Sequence, residues 1–260
     1  HDAAFFNMCR PLELVFANGM DKGEIVGIPT GDVTQMKSFE EFFDAYKKQM
    51  EYCISLLVNA DNAIDVAHAE RCPLPFLSCM IDDCLKEGRS VQEGGAVYNF
   101  TGPQGFGIAN MADGLFAIRK LVYEEKKVSM EEFKEALAWN YDKGLDAQSA
   151  GDMTEMIMKA MQKAGKEADA STAAGLLKTF IGMKPGEQKT QRFKEIHDMI
   201  DEVPKFGNDI PEIDYFAREV AYTYSKPLQN YSNPRGGRFQ AGLYPVSANV
   251  PLGGQTGATP

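Results

Sequence analysis

Ser90-Val-Gln-Glu-Gly-Gly-Ala-Val-Tyr-Asn-Phe100, Thr101-Gly-Pro-Gln-Gly-Phe-Gly107 and the run from Ile108 to Glu125 decide how this chain is read. The first stretch carries apolar, β-prone side chains broken by two glycines. It reads as an interrupted strand, since glycine inside a strand weakens it and marks a bend or a close backbone approach. The second reads as a glycine-rich loop. In the third, Ile108, Met111, Leu115, Ile118 and Val122 recur at helical period. Strand, loop and helix in that order make an α/β unit.

Working outward, Ser38-Phe-Glu-Glu41 has capping-box spacing. Phe39, Phe42, Phe43, Tyr46, Met50, Cys53, Ile54, Leu57 and Ile64 then fall every three or four positions, as in a long helix packed on one face. Pro11 to Phe16 reads as a helix closed by Asn18-Gly19. A short helix is expected around Phe76 to Leu85, ending near Gly88. Ser129-Met-Glu-Glu132 repeats the capping box before Phe133, Leu137 and Tyr141, and a further amphipathic helix spans Asp209 to Ser225. Phe239 to Val250 alternates like a strand. Between them, residues 145–204 change to short Ala/Met/Lys/Glu patterns and read as a peripheral helical insertion, dividing the chain into 1–144, 145–204 and 205–260.

The composition excludes several classes of function. With 27 Lys+Arg against 37 Asp+Glu the formal charge is −10, and no basic cluster interleaved with aromatics stands out, so nucleic acid is not an expected partner. The longest apolar runs, such as Ile54-Ser-Leu-Leu-Val58, fall far short of the roughly 20 residues of a membrane span. Five cysteines without paired spacing, and no charged and apolar leader, point to a reducing, cytoplasmic setting. The chain opens at His1 without Met and stops at Pro260 in a Gly-rich stretch, which reads as an internal segment of a longer protein.

Candidate chemistry is sparse. Gly102-Pro-Gln-Gly105-Phe-Gly107 before a helix could hold an anion on free N–H groups, although its spacing is neither a dinucleotide fingerprint nor a P-loop. The alternative is that glycines there permit a tight turn. His68, Cys72, Cys79 and Cys84 lack metal-site spacing, and no metal is expected. Asp61/Asp65 and Asp82-Asp83 read as solvated acidic faces, and His197 as an exposed residue of a charged helix. G-x-S-x-G is absent. His1-Asp2 stands directly before Ala-Ala-Phe-Phe, so Asp2 could hold a ligand hydroxyl or ammonium against an apolar wall, or simply cap a helix.

Five segments together resemble the glycyl radical enzymes, closest to pyruvate formate-lyase-like proteins and the glycerol and propanediol dehydratases. They are His1-Asp-Ala-Ala-Phe-Phe-Asn7; Asn59-Ala-Asp-Asn-Ala-Ile-Asp65 with His68-Ala-Glu-Arg-Cys-Pro-Leu-Pro75; Val91 to Gly102; Lys205-Phe-Gly-Asn-Asp209; and Asn233-Pro-Arg-Gly-Gly237 with Tyr244-Pro-Val-Ser-Ala-Asn-Val-Pro-Leu-Gly253. The resemblance implies a ten-stranded α/β barrel, of which this chain supplies some strands and outer helices, and a lyase, dehydratase or formate acetyltransferase acting on a small polar substrate. It implies an anaerobic homodimer whose glycine radical is installed by a radical-SAM activating enzyme, and no bound cofactor. It places Asp2, and less closely His1, against a substrate hydroxyl, and Phe5 and Tyr244 in the cavity lining, where core packing is the alternative.

The family's thiyl cysteine sits in a Gly-Cys-Val-Glu type motif. None of the five cysteines here has that context, and no Arg-Val-x-Gly-Tyr radical-glycine motif is present. No catalytic residue is therefore assigned, and the segment alone is expected to be inert. The rival reading is a non-catalytic α/β module that binds an anion or nucleotide at Gly102–Gly107.

Overall fold

The structure, a computed structural model, describes residues 3–141 and 187–243. A parallel sheet has the order β1 (Phe5–Asn7), β4 (Gln104–Phe106), β5 (Gly242–Leu243), with Phe5 level with Gln104 and Gln104 level with Gly242. Helices α2 (Phe39–Arg71), α5 (Ile108–Ile118) and α8 (Pro211–Leu228) form the adjoining layer. Around them lie α1 (Arg10–Phe16), the two-residue hairpin strands β2 (Met20–Asp21) and β3 (Glu24–Ile25), the single turns α3 (Pro75–Ser78) and α4 (Cys84–Glu87), α6 (Met130–Ala138) and α7 (Glu187–Glu202). Parallel strands connected through helices are the α/β architecture expected from the sequence.

Helix α2 begins where expected: the Ser38 hydroxyl accepts from the Glu41 N–H, and Glu40 and Glu41 favour the positive end of the helix. Phe42, Tyr46, Met50, Ile54 and Val58 form a buried stripe, which ends at Asp61. Ile64, expected in the stripe, is half exposed because the last turns of α2 run past the core. Phe216 of α8 anchors the helix layer, its ring 5.7 to 5.9 Å from Phe39, Phe43 and Phe116. Buried Tyr46 donates to the Met8 carbonyl at 3.2 Å, tying α2 to the chain leaving β1. Tyr46→Phe leaves that carbonyl unsatisfied, so a loss of about 1–2 kcal/mol in denaturant unfolding is expected, at unchanged secondary structure.

The deciding stretch is laid out differently from its sequence reading. Residues 90–100 form no strand: a Ser90/Glu93 capping box closes a single turn at Val91–Glu93, and Asn99 Nδ2 donates to the carbonyls of Gly94 and Ala96. Side-chain bonds to the local backbone thus replace a ladder. Tyr98 is 83% exposed. The strand instead lies inside the expected loop, at Gln104-Gly-Phe106, because β1 and β5 flank it on both sides and all three of its residues are buried. The expected helix 108–125 is present, but winds as a π-helix over Arg119–Glu124. The expected short helix near Phe76 is two separate turns, ended by Gly88 at φ 63°.

Most of the expected insertion lies outside the described residues. Its described part is docked on the rest of the chain: α7 buries Phe193 and Ile196, Arg192 pairs with Glu132 at 3.1 Å, and Lys189 pairs with Glu135 at 2.6 Å. His197, expected to be merely exposed, sits edge-on to Tyr141 with centroids 4.9 Å apart, and 3.4 Å from Asp201.

Candidate functional site

Strand alternation sorts the sheet into two faces. Phe6, Gly105 and Leu243 share the helix side, where the Phe6 ring stacks on Tyr224 at 4.9 Å and Tyr224 donates to the Pro103 carbonyl at 3.1 Å. Phe5, Asn7, Gln104, Phe106 and Gly242 share the opposite face. Phe5 is 56% exposed there and meets the Phe106 ring edge-on at 6.3 Å. Its ring lies on the same face as the side chains of Asn7 and Gln104. His1, Asp2 and Tyr244, the other expected pocket residues, lie outside the described residues. Asn7, Gln104 and Phe106 were not singled out from the sequence. Only the two-residue period counted from Phe5, once the strand is placed, identifies them.

The Asn233-Pro-Arg-Gly-Gly237 turn builds the approach to β5. Arg235 Nε donates to Asp65 Oδ2 at 3.0 Å and its Nη2 to Thr101 Oγ1 at 3.0 Å, with the Arg and Asp side chains 12% and 19% exposed. Asp65 is thus no solvated acid: it answers the cation that the turn carries. Asp61, one turn earlier on α2, is 6% exposed and its Oδ2 has no partner among the described residues.

Burial, with the neighbouring Asp65 charge, pushes the Asp61 carboxyl above its ordinary value. A carboxyl raised in the folded state stabilises below its unfolded value near 3.9, and loses that contribution as pH climbs through the raised one. Asp61→Asn should therefore gain stability relative to the parent as pH rises from 4 toward 8, as read from denaturant midpoints.

Cys9 and Cys53 are poorly disposed to act as thiolates. Burial and Glu13 push the Cys9 thiol up to about 11, and burial does the same to Cys53, also to about 11. Cys84 is buried, and Cys72 and Cys79 are exposed. Among the described residues no group of three His, Cys, Asp or Glu gathers to hold a metal, and no helix is long and apolar enough to cross a membrane. The Gly102–Gly107 stretch is partly engaged in the sheet, where the Gln104 N–H donates to the Ala4 carbonyl at 2.8 Å and the Pro103 carbonyl accepts from Gly242. Its central glycine serves packing: a Cβ on Gly105 would lie 2.6 Å from the Tyr224 ring.

A family model described as pyruvate formate lyase-like matches residues 1–253. The chain is 29% identical over its whole length to (2S)-3-sulfopropanediol dehydratase of Klebsiella oxytoca, of which it covers 26%. A solved structure concerned with 1,2-propanediol dehydration in Roseburia inulinivorans matches 100% of the chain at 61% identity and a TM-score of 0.95, with 31% of that chain covered. The glycerol-bound B12-independent glycerol dehydratase of Clostridium butyricum matches 98% of the chain at 42% identity and a TM-score of 0.76, with 26% covered. The chain thus spans about a quarter to a third of the length of these relatives.

Proposed function

The chain belongs to the pyruvate formate lyase-like family, and on that premise we propose that it is one wall of the substrate cavity in a glycyl radical dehydratase acting on a small 1,2-diol. Its fold is part of the α/β barrel of the glycyl radical enzymes, with a helical insertion. What carries the diol reading is the high identity along the full chain to the protein of 1,2-propanediol dehydration, joined by relatives named for glycerol and sulfopropanediol. The three names share two hydroxyls on adjacent carbons.

In this reading the exposed ring of Phe5 meets the carbon skeleton, while the Asp2 carboxylate accepts a hydrogen bond from one hydroxyl and orients the diol. Tyr244, which directly follows β5, contributes a second polar contact. The thiyl sulfur and the radical glycine, contributed by the rest of the parent polypeptide, supply hydrogen-atom abstraction from the hydroxyl-bearing carbon and its later return. The net change is diol to aldehyde plus water. A radical-SAM enzyme would activate the parent, which would work as a cytoplasmic, anaerobic homodimer.

The test is an anaerobic assay of the full-length, activated polypeptide on 1,2-propanediol and glycerol, following aldehyde release. Aldehyde from at least one of the two is the expected result. A polypeptide that carries the glycine radical yet releases aldehyde from neither would overturn the reading.

A further inference from the structure

Among the described residues, strand β5 has two residues and pairs with β4. A slip of one residue would turn every side chain on it to the other face. The turn before the strand adds side-chain ties to that backbone pairing.

Arg235 divides its guanidinium between helix α2 and the segment entering β4, donating to Asp65 Oδ2 at 3.0 Å, Thr101 Oγ1 at 3.0 Å and the Phe100 carbonyl at 3.2 Å. Asn233 locks the turn onto the same segment. Its Oδ1 accepts from the N–H groups of Arg235 at 3.1 Å and Gly237 at 2.9 Å, and its Nδ2 donates to the Asn99 carbonyl at 2.6 Å and Thr101 Oγ1 at 2.8 Å. From there the chain is zipped forward: Thr101 N–H to Arg238, Gln240 N–H to Thr101 and Gly242 N–H to Pro103, at 3.1, 2.8 and 3.0 Å. The contact is close enough that a Cβ on Gly237 would lie 1.8 Å from the Asn99 oxygen.

We propose that Arg235, braced by Asp65, is a positioning residue that sets the level and face of β5, and with it the placement of Tyr244, the next residue in the chain. In this proposal Arg235 acts through β5 and not by direct contact with substrate. Its consequence for catalysis rests on the diol-dehydratase reading, whereas its hold on β5 does not. Lysine cannot replace it, because a single ammonium can keep the Asp65 pair but not the simultaneous bonds to Thr101 and Phe100.

Arg235→Lys and Thr101→Val in the full-length polypeptide test this with two readouts. Amide exchange at Gly242 and Leu243 should accelerate at least 10-fold in both variants while exchange in α2 and α5 stays unchanged. In the activated protein, KM for the diol should rise at least 10-fold with kcat per radical within 3-fold. Unchanged exchange at β5 would overturn the clamp, as would an activity loss that follows radical content at constant KM, the signature of a residue that only maintains the fold. Accelerated exchange in a parent inactive on every diol would support the clamp and sink the catalytic reading instead.

Discussion

Replacing Gly105 with alanine is expected to destabilise the protein by about 2–4 kcal/mol, among the largest effects a single added methyl can have. The new Cβ would stand 2.6 Å from Tyr224 Cε1 and 3.2 Å from Leu243 Cδ2. Tyr224 cannot give way. It is fully buried, its ring is stacked on Phe6 at 4.9 Å, and its hydroxyl is bonded to the Pro103 carbonyl at 3.1 Å. Leu243 Cδ2 must also shift by a few tenths of an ångström. Gly114 provides the control: it lies inside α5 with nothing within 4 Å of its would-be Cβ, so Gly114→Ala should be neutral or stabilise by up to about 1 kcal/mol. Denaturant midpoints of the two variants, measured side by side, check the contrast. A Gly105→Ala protein as stable as its parent would mean that α8 does not pack on the sheet as described.

The second large effect concerns the proposed pocket. Asp2→Ala in the activated full-length polypeptide should lower kcat/KM for the diol by more than about 100-fold, near 2.7 kcal/mol of transition-state stabilisation. A site built to bond a hydroxyl loses most when its charged acceptor is removed, because the substrate hydroxyl is then desolvated without a partner. Asp2→Asn keeps the shape and one acceptor oxygen, so it should fall between the two. Activity near that of the parent in Asp2→Ala would remove Asp2 from the pocket.

The helices were largely legible in the sequence because their signals are local. Ser38 and Ser129 cap the helices they were expected to cap, and the stripe from Phe42 to Val58 follows from helical spacing alone. The α/β class was legible too, through the order of elements. The strands were not. Gln104-Gly-Phe106 has three residues, one of them glycine, and becomes a strand only because β1 and β5, each far away in the chain, flank it. Conversely, Val97 and Tyr98 look β-prone, yet Asn99 captures the backbone carbonyls around them.

The site followed the same division. The resemblance directed attention to Phe5, whose ring is exposed on the face that carries Gln104 and Phe106. It left Asp65 as a surface acid, because the Arg235 that answers it stands 170 residues away, and no periodicity in α2 records that partner. Asn7, Gln104 and Phe106 likewise became visible only when the sheet register put Gln104 level with Phe5 and Phe106 level with Asn7.

The most direct test is a crystal structure of the full-length polypeptide with 1,2-propanediol bound. A diol hydroxyl should lie about 3 Å from the Asp2 carboxylate, with a diol carbon within about 4.5 Å of the Phe5 ring, over the face that carries Gln104 and Phe106. A diol bound elsewhere, with Phe5 and Asp2 turned to the protein exterior, would contradict the account.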